Sequence, residues 1–331
     1  MFDILILFAL IALGLIFLDE GSNLISDNAT VVARRAGSSR FAIGILVVST
    51  LASMPETLVS LLAMHAGSND IAMANALVSI IVNISFIIGL SAIIMPLRTT
   101  REMITRDAVF LLTMTIVVSA LLLDGNLSRL DGIVLLLLYI PYAINLWIAE
   151  KRMGKEEIHA SLKDVFAELM LFGRIFNRGF KVRAGPIWLV VGIFMAVLGA
   201  EFLTRGSIEV SKSMGISEWL IGATIVAVGT SIPDIAAAYH ATRKGMTDLA
   251  LASGIGANIT SILLTLGLMG LVYPLAFDVS HVLPTIIAMN VLTFTLFIFM
   301  ALGRTLTRRQ GAVLFSFYIA VSILNILVFS G

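Results

Sequence analysis

The sequence predicts an all-α, multi-pass membrane protein of ten transmembrane helices, arranged as two five-helix repeats of inverted topology with broken helices at matching places. Three observations predict it. The 331 residues are 59% hydrophobic and 13% charged, with a mean hydropathy of +1.02, whereas soluble domains carry about a quarter charged residues. Apolar runs of the length that crosses a bilayer, about 20 residues, recur along the whole chain. The second half of the chain also repeats the first.

Ten runs between charged or turn-rich breaks are read as spans: 2–26, 41–66, 71–96, 107–123, 130–149, 186–211, 218–240, 247–273, 282–303 and 310–329. The first lacks a basic start and a small-residue cleavage site and continues into Asp19, Glu20 and Gly21, so it is kept as a span rather than a cleaved leader. Loops on one side hold Arg34, Arg35 and Arg40; Arg98, Arg101 and Arg106; the 150–184 connection; Arg243 and Lys244; and Arg304, Arg308 and Arg309. Together these are nineteen of the 22 basic residues, and the other side has only Arg129, Arg205 and Lys212. That bias puts the rich side in the cytoplasm of a plasma (inner) membrane and both termini outside the cytoplasm.

The chain thus divides into a first repeat, 1–150, a cytoplasmic linker, 151–184, and a second repeat, 185–331. Within the linker, Ile158, Leu162, Val165, Phe166, Leu169 and Met170 follow helical spacing, which predicts a helix lying on the membrane surface. No sizeable soluble domain fits. The absence of cysteine excludes disulfides and thiolate metal sites, and four scattered histidines leave little for a zinc or haem centre.

An offset of 178 residues lays Gly44 on Gly222, Ser53 on Ser231, Pro55 on Pro233, Glu56 on Asp234, Gly67 on Gly245, Asp70 on Asp248, Ile84 on Ile262 and Gly89 on Gly267, with no gap over about 45 residues. Upstream, Gly14, Phe17, Leu18, Gly21 and Ser22 recur at an offset of 185 as Gly199, Phe202, Leu203, Gly206 and Ser207. Because each half has five spans, an odd number, the second enters the membrane with opposite orientation. Inverted repeats of this kind bind their substrate between the halves, near the midplane.

The best-preserved stretches lie inside apolar spans, Ser49-Thr50-Leu51-Ala52-Ser53-Met54-Pro55-Glu56 and Ala227-Val228-Gly229-Thr230-Ser231-Ile232-Pro233-Asp234. Proline removes a backbone donor and interrupts the preceding turn, so carbonyls near Ser49, Ala52, Ala227 and Thr230 become available to a cation. An ionised carboxylate at this depth costs several kcal/mol unless compensated, which makes Glu56 and Asp234 the leading functional candidates. Hard oxygen donors without sulfur or imidazole point to calcium, sodium, magnesium or protons. Asn75, Ser79 and Asn83 lie a helical turn apart on the next span, opposite Ser253, Ala257 and Ser261. Of these, Ser79, Asn83 and Ser261 are taken as ligands, with Asn258 behind them.

Other charged groups have simpler readings. Asp19 and Glu20 are expected at the interface, Glu201 to pair with Arg205 one turn on, and Asp70 and Asp248 to favour the amide ends of their helices. His65 and His240 lie toward opposite faces and are not read as ligands.

These residues resemble the calcium/cation antiporter superfamily, which includes the sodium/calcium exchangers and their prokaryotic relatives. Gly229-Thr230-Ser231-Ile232-Pro233-Asp234, then Asp248-Leu249-Ala250 and Gly256-Ala257-Asn258-Ile259, is similar to the family's second alpha motif, with the aspartate of the potassium-dependent branch. The first repeat keeps Ser53, Pro55, Glu56, Asp70, Ala72, Asn75, Ser79 and Asn83, and departs at Leu51-Ala52 and at Val78-Ser79-Ile80. Ser261 stands where the family has an acid or amide. The resemblance covers essentially all ten spans.

It implies an antiporter exchanging calcium, or a similar divalent cation, for sodium by alternating access, with H+ or K+ as further transported ions and no cofactor. Glu56 and Asp234 would hold the metal with carbonyls of Ala52 and Thr230. Ser49, Ser53, Ala227 and Ser231 would add oxygens, and the first and sixth helices would slide on Gly14, Gly21, Gly199 and Gly206. Its partners are then inorganic cations and the lipid bilayer, with no nucleic acid.

Three rivals stand beside this reading: a proton-coupled cation exchanger, a degenerate relative that does not transport, and an ion channel, the last disfavoured because the symmetry lies within one chain. The chain offers no nucleophile and base at motif spacing, so an enzyme is not expected.

Overall fold

The computed structural model describes residues 2–35, 53–152 and 186–329. Helix α1 (Phe2–Arg35) is followed by α2 (Met54–His65), and α3 (Asn69–Ile81) passes through a π-helical stretch (Val82–Ile88) into α4 (Gly89–Ile94). After a two-residue strand β1 (Leu97–Arg98), a π-helical stretch (Met103–Ala108) leads into α5 (Val109–Leu122), then β2 (Asn126–Leu127) and α6 (Arg129–Arg152).

The other half begins with α7 (Pro186–Met214). Helix α8 (Glu218–Ile221) runs through a π-helical stretch (Gly222–Val226) into α9 (Ala227–Thr230), followed by α10 (Ile232–Arg243). Helix α11 (Thr247–Thr260) passes through Ser261–Thr265 into α12 (Leu266–Val272). Strand β3 (Leu275–Ala276), α13 (Val279–Leu302), β4 (Thr305–Leu306) and α14 (Arg308–Phe329) complete the order.

Among the described residues seven helical segments are long and apolar enough to cross a membrane, and an eighth span is the pair Glu218–Thr230 and Ile232–Arg243, bent by 45° at Ser231. All-helical architecture is as expected from composition, and the described helix ends fall within a few residues of those read from the sequence, except that α1 continues to Arg35, while the first part of the second span, 41–52, lies outside the described residues. The amphipathic run of the 151–184 linker lies outside the described residues. Two features go beyond what periodicity predicts: the π-helical stretches, and the four short strands at the ends of spans.

These strands pair reciprocally. β1 pairs antiparallel with β4 through Leu97 and Leu306, and β2 pairs with β3 through Leu127 and Leu275. Leu97 and Leu275 stand 178 residues apart, the offset of the internal repeat.

Glycine contacts reciprocate as well. A Cβ on Gly14 would lie 2.9 Å from the Gly199 carbonyl oxygen, and one on Gly199 would lie 2.7 Å from that of Gly14. Gly21 and Gly192 face each other likewise, so α1 and α7 cross with backbones in direct contact, the small-residue packing that membranes favour where no hydrophobic force separates protein from lipid. Phe17 and Phe202 meet beside this seam with ring centroids 6.1 Å apart. Farther along the chain, Gly89 of α4 abuts Gly311 of α14, and Gly267 of α12 abuts Gly132 of α6.

The core is the α3–α4 and α11–α12 pair, whose spans are 78% and 72% buried, whereas the α1 and α14 spans are each only 22% buried. Exposed Leu5, Ile6, Leu137, Phe194, Ile287 and Leu327 cover the outer helices, a surface that water disfavours and lipid accepts. Between α2 and α3, Gly67 takes φ +81°, and between α10 and α11, Gly245 takes φ +83°, the left-handed conformation that lets each site helix turn directly into the next.

Candidate cation-binding site

The site is built where helices begin and break. Pro55 and Pro233 each occupy the first turn of their helix, where a missing N–H leaves nothing unsatisfied. Each proline therefore starts a new helix directly before a carboxylate, so Glu56 of α2 and Asp234 of α10 stand at positive helix ends. Glu56 is fully buried and Asp234 half-buried, and the two carboxylates act on each other electrostatically.

Around them is a cluster of buried side-chain atoms without hydrogen-bond partners. They include both carboxylate oxygens of Glu56, Oδ2 of Asp234, the hydroxyls of Ser53, Ser79 and Ser261, and both amide atoms of Asn83 and Asn258; the other unpartnered atoms among the described residues are the hydroxyls of Ser22 on α1, Thr204 and Ser207 on α7, and Thr293 on α13. The elements that carry them pack together: the Val82–Ile88 stretch lies on α10 and α11, and the Ser261–Thr265 stretch lies on α2 and α3. A buried polar group left unsatisfied costs about 1–3 kcal/mol, so this concentration, drawn from both halves, makes these residues the candidate cation cage. In the same core, structural polar groups do find partners: Thr57 donates to the Ser53 carbonyl at 2.8 Å and its hydroxyl meets that of Thr265 at 2.7 Å.

The π-helical stretches contribute to this geometry. Two of the four described begin where candidate ligands sit, with Asn83 just inside Val82–Ile88 and Ser261 at the head of the π-helical stretch Ser261–Thr265. A π turn inserts one residue into the helical repeat and re-aims the side chains beside it, which is why such turns gather at functional sites.

Other expected ligands have different surroundings. The Ser231 hydroxyl donates to the Ala227 carbonyl at 2.8 Å, and the Thr230 hydroxyl reaches the same oxygen at 3.3 Å and Asn75 Oδ1 at 3.0 Å. The Ala227 carbonyl thus accepts from Ser231 with one lone pair, because a break in a buried helix recruits the nearest donors, and its second lone pair is available when Thr230 gives its single proton to Asn75. Ser231 and Thr230, donating away, keep oxygen lone pairs for a cation. Ser49 and Ala52 lie outside the described residues.

Asn75, grouped with the ligands by its spacing, has its amide protons engaged: Nδ2 donates to the Glu56 backbone carbonyl at 3.1 Å and to the Ser60 hydroxyl at 2.9 Å. Its repeat equivalent, Ser253, points outward and is exposed.

A cleft of about 160 Å³ opens beside the cage, lined on one side by Leu15, Leu18, Asp19 and Glu20 of α1 and on the other by Pro55, Thr230 and Pro233. Asp19 and Glu20 therefore line the cleft opposite Pro55, Thr230 and Pro233, a contact that their place near the end of an apolar run does not predict. The apolar run alone could not reveal this, because α1 extends a further turn and more past them. Glu201 pairs with Arg205 as expected. Asp70 and Asp248 lie exposed in the first turns of α3 and α11, and His65 bonds the Tyr273 hydroxyl at 3.0 Å, away from the site.

The profile of the family described as Sodium/calcium exchanger protein matches residues 6–148 and 184–327. The sodium/calcium exchanger MaX1 of Methanosarcina acetivorans is 31% identical over 95% of this chain and 96% of its own length. Inner membrane protein YrbG of Escherichia coli K12 is 31% identical, over 80% of each chain. A solved structure of the sodium-calcium exchanger NCX_Mj, soaked with 100 mM Na+ and 10 mM Sr2+, superposes with a TM-score of 0.62 at 26% identity, covering 97% of this chain and 98% of that one.

Proposed function

The chain belongs to the sodium/calcium exchanger protein family, a family of membrane cation antiporters and not of enzymes, and on that premise we propose that it exchanges calcium, or a similar divalent cation, for sodium by alternating access. The observation that carries this reading is the cage of unpartnered oxygens around Glu56 and Asp234. Calcium takes six to eight oxygen ligands, about 2.3–2.6 Å away, and two carboxylates neutralise one divalent ion. Glu56, Asp234, Ser53, Ser79, Asn83 and Ser261 are the side-chain ligands, joined by Asn258, while Ser49, Ala52, Ala227, Thr230 and Ser231 add carbonyl or hydroxyl oxygens from the two breaks.

The chain makes ten spans in two halves of opposite orientation, 1–150 and 185–331, joined by a cytoplasmic linker, 151–184, with both termini outside the cytoplasm. The reciprocal strand pairs and glycine contacts support this arrangement, since a two-fold relation between the backbones of the halves makes backbone contacts occur in pairs. Calcium and sodium compete for the same carboxylates, so the site crosses only when loaded with one or the other. The glycine seam between α1 and α7 lets that pair slide past the cage and carry the cleft from one side to the other.

The test is calcium-45 uptake into proteoliposomes under an outward sodium gradient, compared with a proton gradient. Sodium-driven uptake is expected. Uptake driven by protons alone would replace the sodium reading with the proton-coupled one, and no flux under either gradient would overturn exchange of calcium.

A further inference from the structure

We propose that Asn75 is the positioning residue that holds the two halves of the cation site in register, and that it thereby sets the preference for a divalent over a monovalent ion. This rests on the exchange reading above. Asn75 is completely buried and belongs to α3 of the first half, yet it bonds at once to the first turn of α2 and to the break between α9 and α10. Its Nδ2 donates to the backbone carbonyl of Glu56 and to Ser60, and its Oδ1 accepts from Thr230, the last residue before the break in the second half. One carboxamide therefore ties the residue that carries one carboxylate to a residue four positions before the other.

The tie runs in one direction only. At the repeat-equivalent positions Asn75 becomes Ser253, Ser60 becomes Ala238 and Thr230 becomes Ala52. Ser253 is exposed and the two alanines carry no hydroxyl, so no mirror-image side-chain bridge stands among the described residues to take over the load. With both amide protons engaged inside the protein, Asn75 supports the cage without belonging to it.

The consequence for selectivity follows from charge. Attraction between an ion and a carboxylate scales with the ion's charge, so a given displacement of Glu56 relative to Asp234 costs a divalent ion twice what it costs a monovalent one. Calcium also demands more oxygens simultaneously. Loosening the bridge therefore weakens calcium more than sodium.

The experiment measures the calcium KM, the sodium concentration for half-maximal exchange, and Vmax in proteoliposomes for wild type, Asn75→Ala, Thr230→Val, Thr230→Ser and the Asn75→Ala/Thr230→Val double variant. Asn75→Ala is expected to raise the calcium KM about tenfold and the sodium value by less than about threefold, the range of one buried hydrogen-bonded link. Thr230→Ser, which keeps the hydroxyl, retains the wild-type ratio. Thr230→Val removes a cation-facing hydroxyl as well as the bridge and shifts the ratio at least as far as Asn75→Ala, while the double variant falls short of the sum of the two, because the bridge is lost in both.

Equal shifts for the two ions, or strictly additive effects, would overturn the proposal, since a merely structural residue lowers yield or Vmax without changing the ratio. If Asn75→Ala does not fold, Asn75→Ser and Ser60→Ala, which loosen the same bridge without touching a proposed ligand, are measured in its place, and an unchanged calcium-to-sodium ratio in both overturns the proposal. Wild type without sodium-driven uptake would sink the exchange reading, and the bridge is then judged by calcium-45 binding to the same purified variants.

Discussion

The contact between α1 and α7 allows a quantitative test with Gly199→Ala. The new Cβ would stand 2.4 Å from the Leu18 backbone nitrogen and 2.7 Å from the Gly14 carbonyl oxygen. Non-bonded heavy atoms settle at about 3.5–4.0 Å, so the helices must separate by about 1 Å at their crossing. Neither obstacle is a side chain that can rotate away. Overpacking of this kind costs about 1–3 kcal/mol, and it displaces the segment of α1 that bears Asp19 and Glu20 beside the cleft.

The assay is thermal unfolding of the purified protein in detergent together with calcium uptake after reconstitution. Gly256→Ala is the control: its Cβ meets nothing nearer than the Tyr142 hydroxyl at 3.6 Å, an ordinary contact. Gly199→Ala is expected to lower both the melting temperature and Vmax, with Gly256→Ala close to wild type. Equal behaviour of the two variants, in either direction, would refute the claim that backbone contact between α1 and α7 governs stability and movement.

The remaining predictions concern the cage and its supports. Glu56→Gln and Asp234→Asn each remove a charge that calcium needs, and calcium uptake should fall at least about tenfold in either, measured at fixed protein density. Ser79→Ala and Ser261→Ala delete hydroxyls that have no protein partner, so their ion-free melting temperatures should equal or exceed wild type while the stabilisation produced by added calcium shrinks; a drop without ions would mark these serines as structural. Trp219→Phe loses the bond from Nε1 to Asn325 Oδ1 of 3.1 Å and should cost about 1 kcal/mol of stability with the calcium KM unchanged. Gly245→Ala forces a side chain onto φ +83°, a strain of about 1–2 kcal/mol, and a melting temperature equal to wild type would contradict it.

The carboxylates are legible in the sequence because their signal is local: a charge and a proline inside an apolar run are too costly to stand there without a purpose, and both halves carry them. Ser79 and Ser261 are legible for a related reason, since helical spacing puts them on the face of the next span that turns toward the break. Asn75 shares that spacing and yet serves differently. Which partners a carboxamide finds depends on the neighbouring helix from the other half, and nothing within its own turn encodes Thr230. Asn258 ranks low by sequence likewise, its counterpart in the first half being the apolar Ile80.

The sequence by itself determined that the chain is an all-helical membrane protein, that its halves are related, and that Glu56 and Asp234 are the carboxylates set beside a proline inside apolar runs. All of these are matters of composition and periodicity along one chain. Only the tertiary structure decided which of the polar residues remain unpartnered and which are consumed in holding the breaks, that Asp19 and Glu20 face the cleft, and that α1 and α7 touch backbone to backbone. The reason is that a polar group's role inside an apolar core is set by what lies within hydrogen-bond reach of it, and at these positions that neighbour comes from the other half of the chain.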